Sequence, residues 1–89
     1  MRAAPAFGPG RARLSRRQQL QELSRRLGTL TRRELEVAER VARGDLNRVI
    51  AEELKLALRT VKLYRQRALE KLEAHSTADL VRILQEGGG

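Results

Sequence analysis

No cysteine occurs anywhere in this chain. Neither disulfides nor thiolate–zinc sites can therefore stabilise it, and the absence fits a reducing cytoplasm. Aromatic residues are almost as scarce, with only Phe7 and Tyr64. The core must then be aliphatic, built from Leu, Val, Ile and Ala. Such a composition suits helices, and few segments show the β-branched alternation of strands. No apolar run approaches the ~20 residues that span a bilayer, and the basic start lacks the apolar stretch of a secretory signal. Chemistry-bearing clusters are missing too. The single histidine, His75, has no cysteine or carboxylate pair arranged around it, and Gly87–Gly89 have no helix after them to make a phosphate loop. No catalytic residue, metal ligand, cofactor or membrane partner is expected.

What the 89 residues do contain is positive charge, unevenly placed. Residues 1–33 hold nine arginines against one acid, Glu22, a balance of +8. Residues 34–89 hold ten basic and ten acidic side chains and balance to zero. Within that neutral part, residues 55–67 carry Lys55, Arg59, Lys62, Arg65 and Arg67 and no acid. Net charge alone would suit any polyanion. Charge sorted along one segment is more specific.

Residues 1–14, with two prolines and no periodicity, read as a flexible basic tail. In 15–28, Ser15 and Gln18 have capping-box spacing, Leu20, Leu23 and Leu27 form a narrow stripe, and Gly28 stands at the end. This is a helical linker, which packs on the domain, pairs with its own copy, or forms only in a longer parent protein; a frayed helix is the plain alternative, since about 12 residues make a weak helix alone. A clearer start follows. Thr31 as N-cap, Glu34 reaching back, and Leu30 with Leu35 as hydrophobic staple open a helix whose stripe is Leu35, Ala38, Val41 and Ala42, ended by Gly44. Residues 47–54 form a short helix through Val49, Ile50 and Leu54; 55–58 connect tightly; a longer helix then runs to about Leu72. The last helix starts at Ser76, with Asp79 at capping-box spacing, and 87–89 are a disordered tail. The folded unit is 29–86, and two short helices joined by a tight turn within it are the mark of a helix-turn-helix.

On a helical wheel of 100° per residue, Val61, Ala68 and Leu72 cluster on one side of the longer helix. Leu58, Tyr64 and Leu69 flank them. Arg59, Lys62, Leu63, Gln66 and Arg67 fall on the far side. Cations crowded at a helix N-terminus oppose the helix dipole, which prefers anions there. A merely solvated basic face is the plain alternative, but it leaves unexplained both that conflict and the exposed Leu63. A DNA major groove explains both. Phosphates neutralise the cations, and an aliphatic side chain can meet a thymine methyl.

The stretch from Leu30 to Leu84 resembles the LuxR-type helix-turn-helix domain of NarL/FixJ transcription regulators. The resemblance rests on LTxRE at 30–34, Gly44, NRxIA at 47–51, TVK at 60–62 and KL at 71–72, in order and at matching spacing. The lead-in SRRLGTLTRRE also looks like the linker before the output domain of a FixJ-type response regulator. This resemblance implies an all-α, four-helix domain preceded by the helical linker, acting on double-stranded DNA in bacterial transcription, as an output domain or alone. It implies that the helix at about 58–72 is the recognition helix. By position, Lys62, Leu63 and Gln66 would touch bases, while Asn47, Arg48, Arg59, Thr60 and Arg67 would hold phosphates. A homodimer through the last helix, by Val81 and Leu84, and inverted-repeat sites are also implied.

Several residues depart from the family pattern. Lys55 stands where the turn often has glycine, Ala57 where Ser or Thr caps the recognition helix, and Tyr64 where histidine is common. Leu46 replaces a small polar residue, leaving Asp45 as the nearby cap. Two rival readings share these features. Sigma factor region 4 uses a similar helix-turn-helix and would add RNA polymerase as a partner. A helical interaction module could instead dock its basic face on an acidic protein, or bind RNA through the arginine-rich start, although aromatic stacking platforms are missing.

Overall fold

The computed structural model describes residues 15–88, so the basic segment 1–14 lies outside the described residues. Five helices follow one another: α1 (Arg16–Leu27), α2 (Arg32–Ala42), α3 (Asn47–Leu54), α4 (Leu58–Leu72) and α5 (Thr77–Gly88). No strand occurs among the described residues, and the class is all-α, as expected. None of these helices is long and apolar enough to cross a membrane.

The core is wholly aliphatic. Val37, Ala38 and Val41 of α2 meet Ile50 and Ala51 of α3, Val61, Ala68 and Leu72 of α4, and Leu80 and Ile83 of α5 in one buried cluster. The α4 stripe matches the wheel except at Leu58, which is 42% exposed and lines no core. In α2 the stripe is rotated from its expected place. The buried row is Glu34, Val37, Ala38 and Val41, with Leu35 and Ala42 only half-buried. That row has the i, i+3, i+4, i+7 spacing of a core face, but its first member is a carboxylate, which a hydropathy reading assigns to the surface.

Glu34 can be buried because its carboxylate is bonded twice through one oxygen. Oε1 accepts from the Thr31 N–H at 2.9 Å and from Lys71 Nζ at 2.7 Å. Thr31 Oγ1 accepts in turn from the Glu34 N–H at 3.1 Å, completing the expected capping box. The Lys71 ammonium holds the Glu34 carboxyl below its ordinary pKa, against the opposing effect of burial. Lys71 also donates to the Thr29 carbonyl at 3.1 Å. One ammonium thus ties the end of α4 to both the start of α2 and the turn before it.

Of the three readings for the linker, the structure shows packing. Leu23 of α1 is buried, and α1 lies along α5. Ser15 and Gln18 form the expected capping box. Gly87 faces this contact: a Cβ there would fall 2.6 Å from Leu27 Cδ1, the free end of a side chain, and 3.3 Å from Leu23 Cβ. Gly87 and Gly88 are accordingly helical, and α5 runs past the expected tail boundary at 87. At its start, Ser76 Oγ accepts from the Asp79 N–H at 3.0 Å, while Asp79 accepts from the N–H of His75, one residue earlier than a capping box requires. That backbone bond is the largest cause holding the Asp79 carboxyl below its usual range.

Candidate nucleic-acid interface

α3, the turn and α4 form the helix-turn-helix. α3 ends on Lys55, whose φ of 59° lies in the left-handed region. The turn closes through the Leu56 N–H donating to the Ala51 carbonyl at 2.9 Å. Glycine reaches this conformation freely, whereas a side chain costs about 1 kcal/mol. Lysine therefore does a glycine's work at some expense. α4 ends the same way, on Glu73 at φ 55°.

The two helices of the motif start without side-chain caps. The N-cap residues are Leu46 and Ala57, and neither supplies a hydrogen bond. Asp45 does not cap α3, contrary to expectation; its Oδ2 accepts from Arg43 Nη2 at 3.1 Å. The missing cap at Ala57 does not delay α4, which begins at Leu58. Both starts leave backbone N–H groups open, the arrangement that suits phosphate. Leu46 itself is 64% exposed.

The far side of α4 is as the wheel places it. Arg59, Lys62, Leu63, Gln66 and Arg67 are exposed, and so is Arg48 on α3, next in sequence to half-buried Asn47. Thr60 is half-buried near the start of α4. Asn47, Lys62 and Gln66 come together on an open groove that Arg65, Leu69 and the 73–75 turn also line. Arg48, Arg59, Thr60, Leu63 and Arg67 lie outside that lining. Gln66 Nε2 donates weakly to Glu70 Oε2 at 3.4 Å.

Charge pairing separates this face from the rest. Arg25, Arg26, Arg32, Arg33, Arg40, Arg43, Lys71 and Arg82 each have a carboxylate oxygen within 3.8 Å. Among the described residues, Arg48, Lys55, Arg59, Lys62, Arg65 and Arg67 have none. The cations of α3, the turn and α4 other than Lys71 are left unpaired, and among the described residues the only further unpaired ones are Arg16 and Arg17 at the start of α1. Sequence reasoning counted Arg65 among the cations but gave it no place in the site. Its bond to Asn47, 18 positions away, has no local signal.

Val81 and Leu84, the expected dimer residues, are both half-buried on α5. Leu84 shares a dimple with Leu27, Leu35, Glu39 and Gly87, so part of its surface already faces α1 and α2. Among the described residues, no cluster of His, Cys, Asp and Glu could hold a metal ion.

A tight helix-turn-helix whose second helix presents unpaired cations defines a DNA-binding domain of transcription regulation. The model of the luxR family of bacterial regulatory proteins matches residues 28–84, and the chain belongs to that family. It is 49% identical over 53 residues to the tetrathionate response regulatory protein TtrR of Salmonella typhimurium, covering 60% of this chain and 26% of that one. Against the transcriptional regulatory protein FixJ of Bradyrhizobium diazoefficiens it is 34% identical over 68 residues, covering 76% and 33%. The crystal structure of full-length FixJ from B. japonicum superposes with a TM-score of 0.73 at 28% identity, over 96% of this chain and 40% of that one. The chain thus spans well under half the length of each of these relatives.

Proposed function

We propose that this domain binds specific double-stranded DNA sequences with α4 in the major groove, and so regulates transcription without catalysing a reaction. The observation that carries the reading is the sorting of charge: among the described residues, six of the eight cations without an ion pair lie on α3, α4 and the turn between them, the other two being Arg16 and Arg17 at the start of α1. On this reading Lys62, Leu63 and Gln66 read base edges, and Asn47, Arg48, Arg59, Thr60 and Arg67 hold phosphates. Base contacts choose the sequence and phosphate contacts fix the register. A dimer formed through Val81 and Leu84 would place two recognition helices on an inverted repeat. The relatives' names, a tetrathionate response regulatory protein and a transcriptional regulatory protein, support an output domain of a longer regulator, whose signal would come from outside this segment.

The test is selection of bound duplexes from a random pool at moderate salt. An enriched inverted repeat, with half-sites about one helical turn apart, is the expected result. Enrichment of an asymmetric element would favour a monomeric, sigma-like contact. No enriched motif would overturn the sequence-specific reading.

A further inference from the structure

Arg65 is the least explained cation of the interface. It is only half-exposed, it shares the groove with Glu70 and Glu73, and it forms an ion pair with neither. Its Nη1 donates instead to a neutral partner, Asn47 Oδ1, at 3.2 Å. A guanidinium has donors only, so the atom of Asn47 that faces it must be the carbonyl oxygen. The amide nitrogen of Asn47, with its two N–H donors, is thereby turned away from Arg65. A partly desolvated charge without a close counter-charge is unfavourable by itself, and Arg65 forms no ion pair with either carboxylate of its groove. The groove, of about 590 Å³, is open and large enough for a sugar and its phosphate.

From this geometry we infer that Arg65 and Asn47 form a two-part clamp on one phosphodiester of bound duplex DNA. Arg65 supplies the charge and fixes the Asn47 amide, and Asn47 presents its N–H donors to the same phosphate. The clamp joins the start of α3 to the middle of α4, so the anion would also lock the angle between the two helices. This inference rests on the DNA-binding reading above and adds to it a residue, Arg65, and a coupling between two residues.

The experiment is a salt titration of binding to one fixed duplex by the wild-type chain and by Arg65→Ala, Asn47→Ala, the double variant and Asn47→Asp, with thermal melting of each. Arg65→Ala should weaken binding about tenfold at moderate salt, the scale of one charge-assisted contact. The log–log salt slope should fall by about 0.9, one phosphate's worth. Asn47→Ala should add less than about twofold in the Arg65→Ala background, because the two act as a unit. Asn47→Asp is the sharpest variant. It keeps or strengthens the bond to Arg65 but turns an acceptor toward the phosphate, so the fold should hold while affinity and slope both drop. If Arg65 only braces the fold, Asn47→Asp will bind like wild type and Arg65→Ala will melt early with its slope unchanged; either result overturns the clamp. A flat salt dependence in the wild type would instead sink the DNA-binding reading itself, and the clamp with it.

Discussion

Leu63 and Arg48 are both exposed on the proposed interface, yet they should fail differently when removed. An aliphatic side chain in the major groove acts through contact with a base, so Leu63→Ala should relax preference at one position by about 1 kcal/mol. An arginine on phosphate carries no sequence information, so Arg48→Ala should weaken all duplexes about equally. Binding titrations against a panel of single-base variants separate the two, and equal losses for Leu63→Ala on every sequence would refute its role. Glu34 makes a different kind of residue-scale claim, about stability. Its folded carboxyl titrates below the ordinary carboxylate range, held there by Lys71. The unfolded chain therefore takes up that proton first as pH falls. The stabilisation is complete above the ordinary range, shrinks through it and is gone below the folded pKa. Lys71→Ala should cost about 2 kcal/mol at neutral pH, less than a fully buried pair because Lys71 is partly exposed and the Thr31 N–H remains. Urea unfolding at pH 7 and in acid checks both: the difference between variant and wild type should narrow as the pH drops.

At the scale of elements, the two left-handed residues that bracket α4 are the points of local conflict. Lys55→Gly should stabilise the domain by about 0.5 to 1 kcal/mol, read from the urea midpoint, because glycine accepts the conformation that lysine tolerates at a cost. Gly87 predicts the opposite. Replacing it with leucine drives a side chain into Leu23 and Leu27, so amides of α1 should lose exchange protection while those of α2 to α4 keep theirs. These elements also show what the sequence could reveal. Both N-terminal capping boxes and the α4 stripe were legible, because caps and periodicity are local. The Glu34 row was not, since its burial depends on Lys71, 37 positions away. Helical Gly87 was not either. Glycine normally marks an end, and only the nearness of α1 gives it a reason to stay in register. The unpaired cations were visible as a charge run, but their lack of partners required the fold.

For the whole molecule, the charge pattern and the α1–α5 contact matter together. Most described cations outside the motif are paired internally, Arg16 and Arg17 excepted, and such exposed pairs contribute little to stability, so salt should act mainly on binding and little on folding. α1 covers one side of α5 and shares the Leu84 dimple, leaving Val81 and the rest of Leu84 for a second copy. If those residues mediate pairing, analytical ultracentrifugation on an inverted-repeat duplex should show two chains per site, and Leu84→Glu should reduce this to one. A chain that stays monomeric on such a duplex would reject the dimer.

The scarcity of aromatic side chains has an optical consequence. With no tryptophan and a single tyrosine, emission excited at wavelengths too long for Phe7 comes from one ring, Tyr64 on α4. Tyr64 is half-buried against the aliphatic cluster, so its emission reports when that helix leaves the core. The unfolding experiments above can be followed without attaching a dye, and the signal belongs to the element whose position matters most.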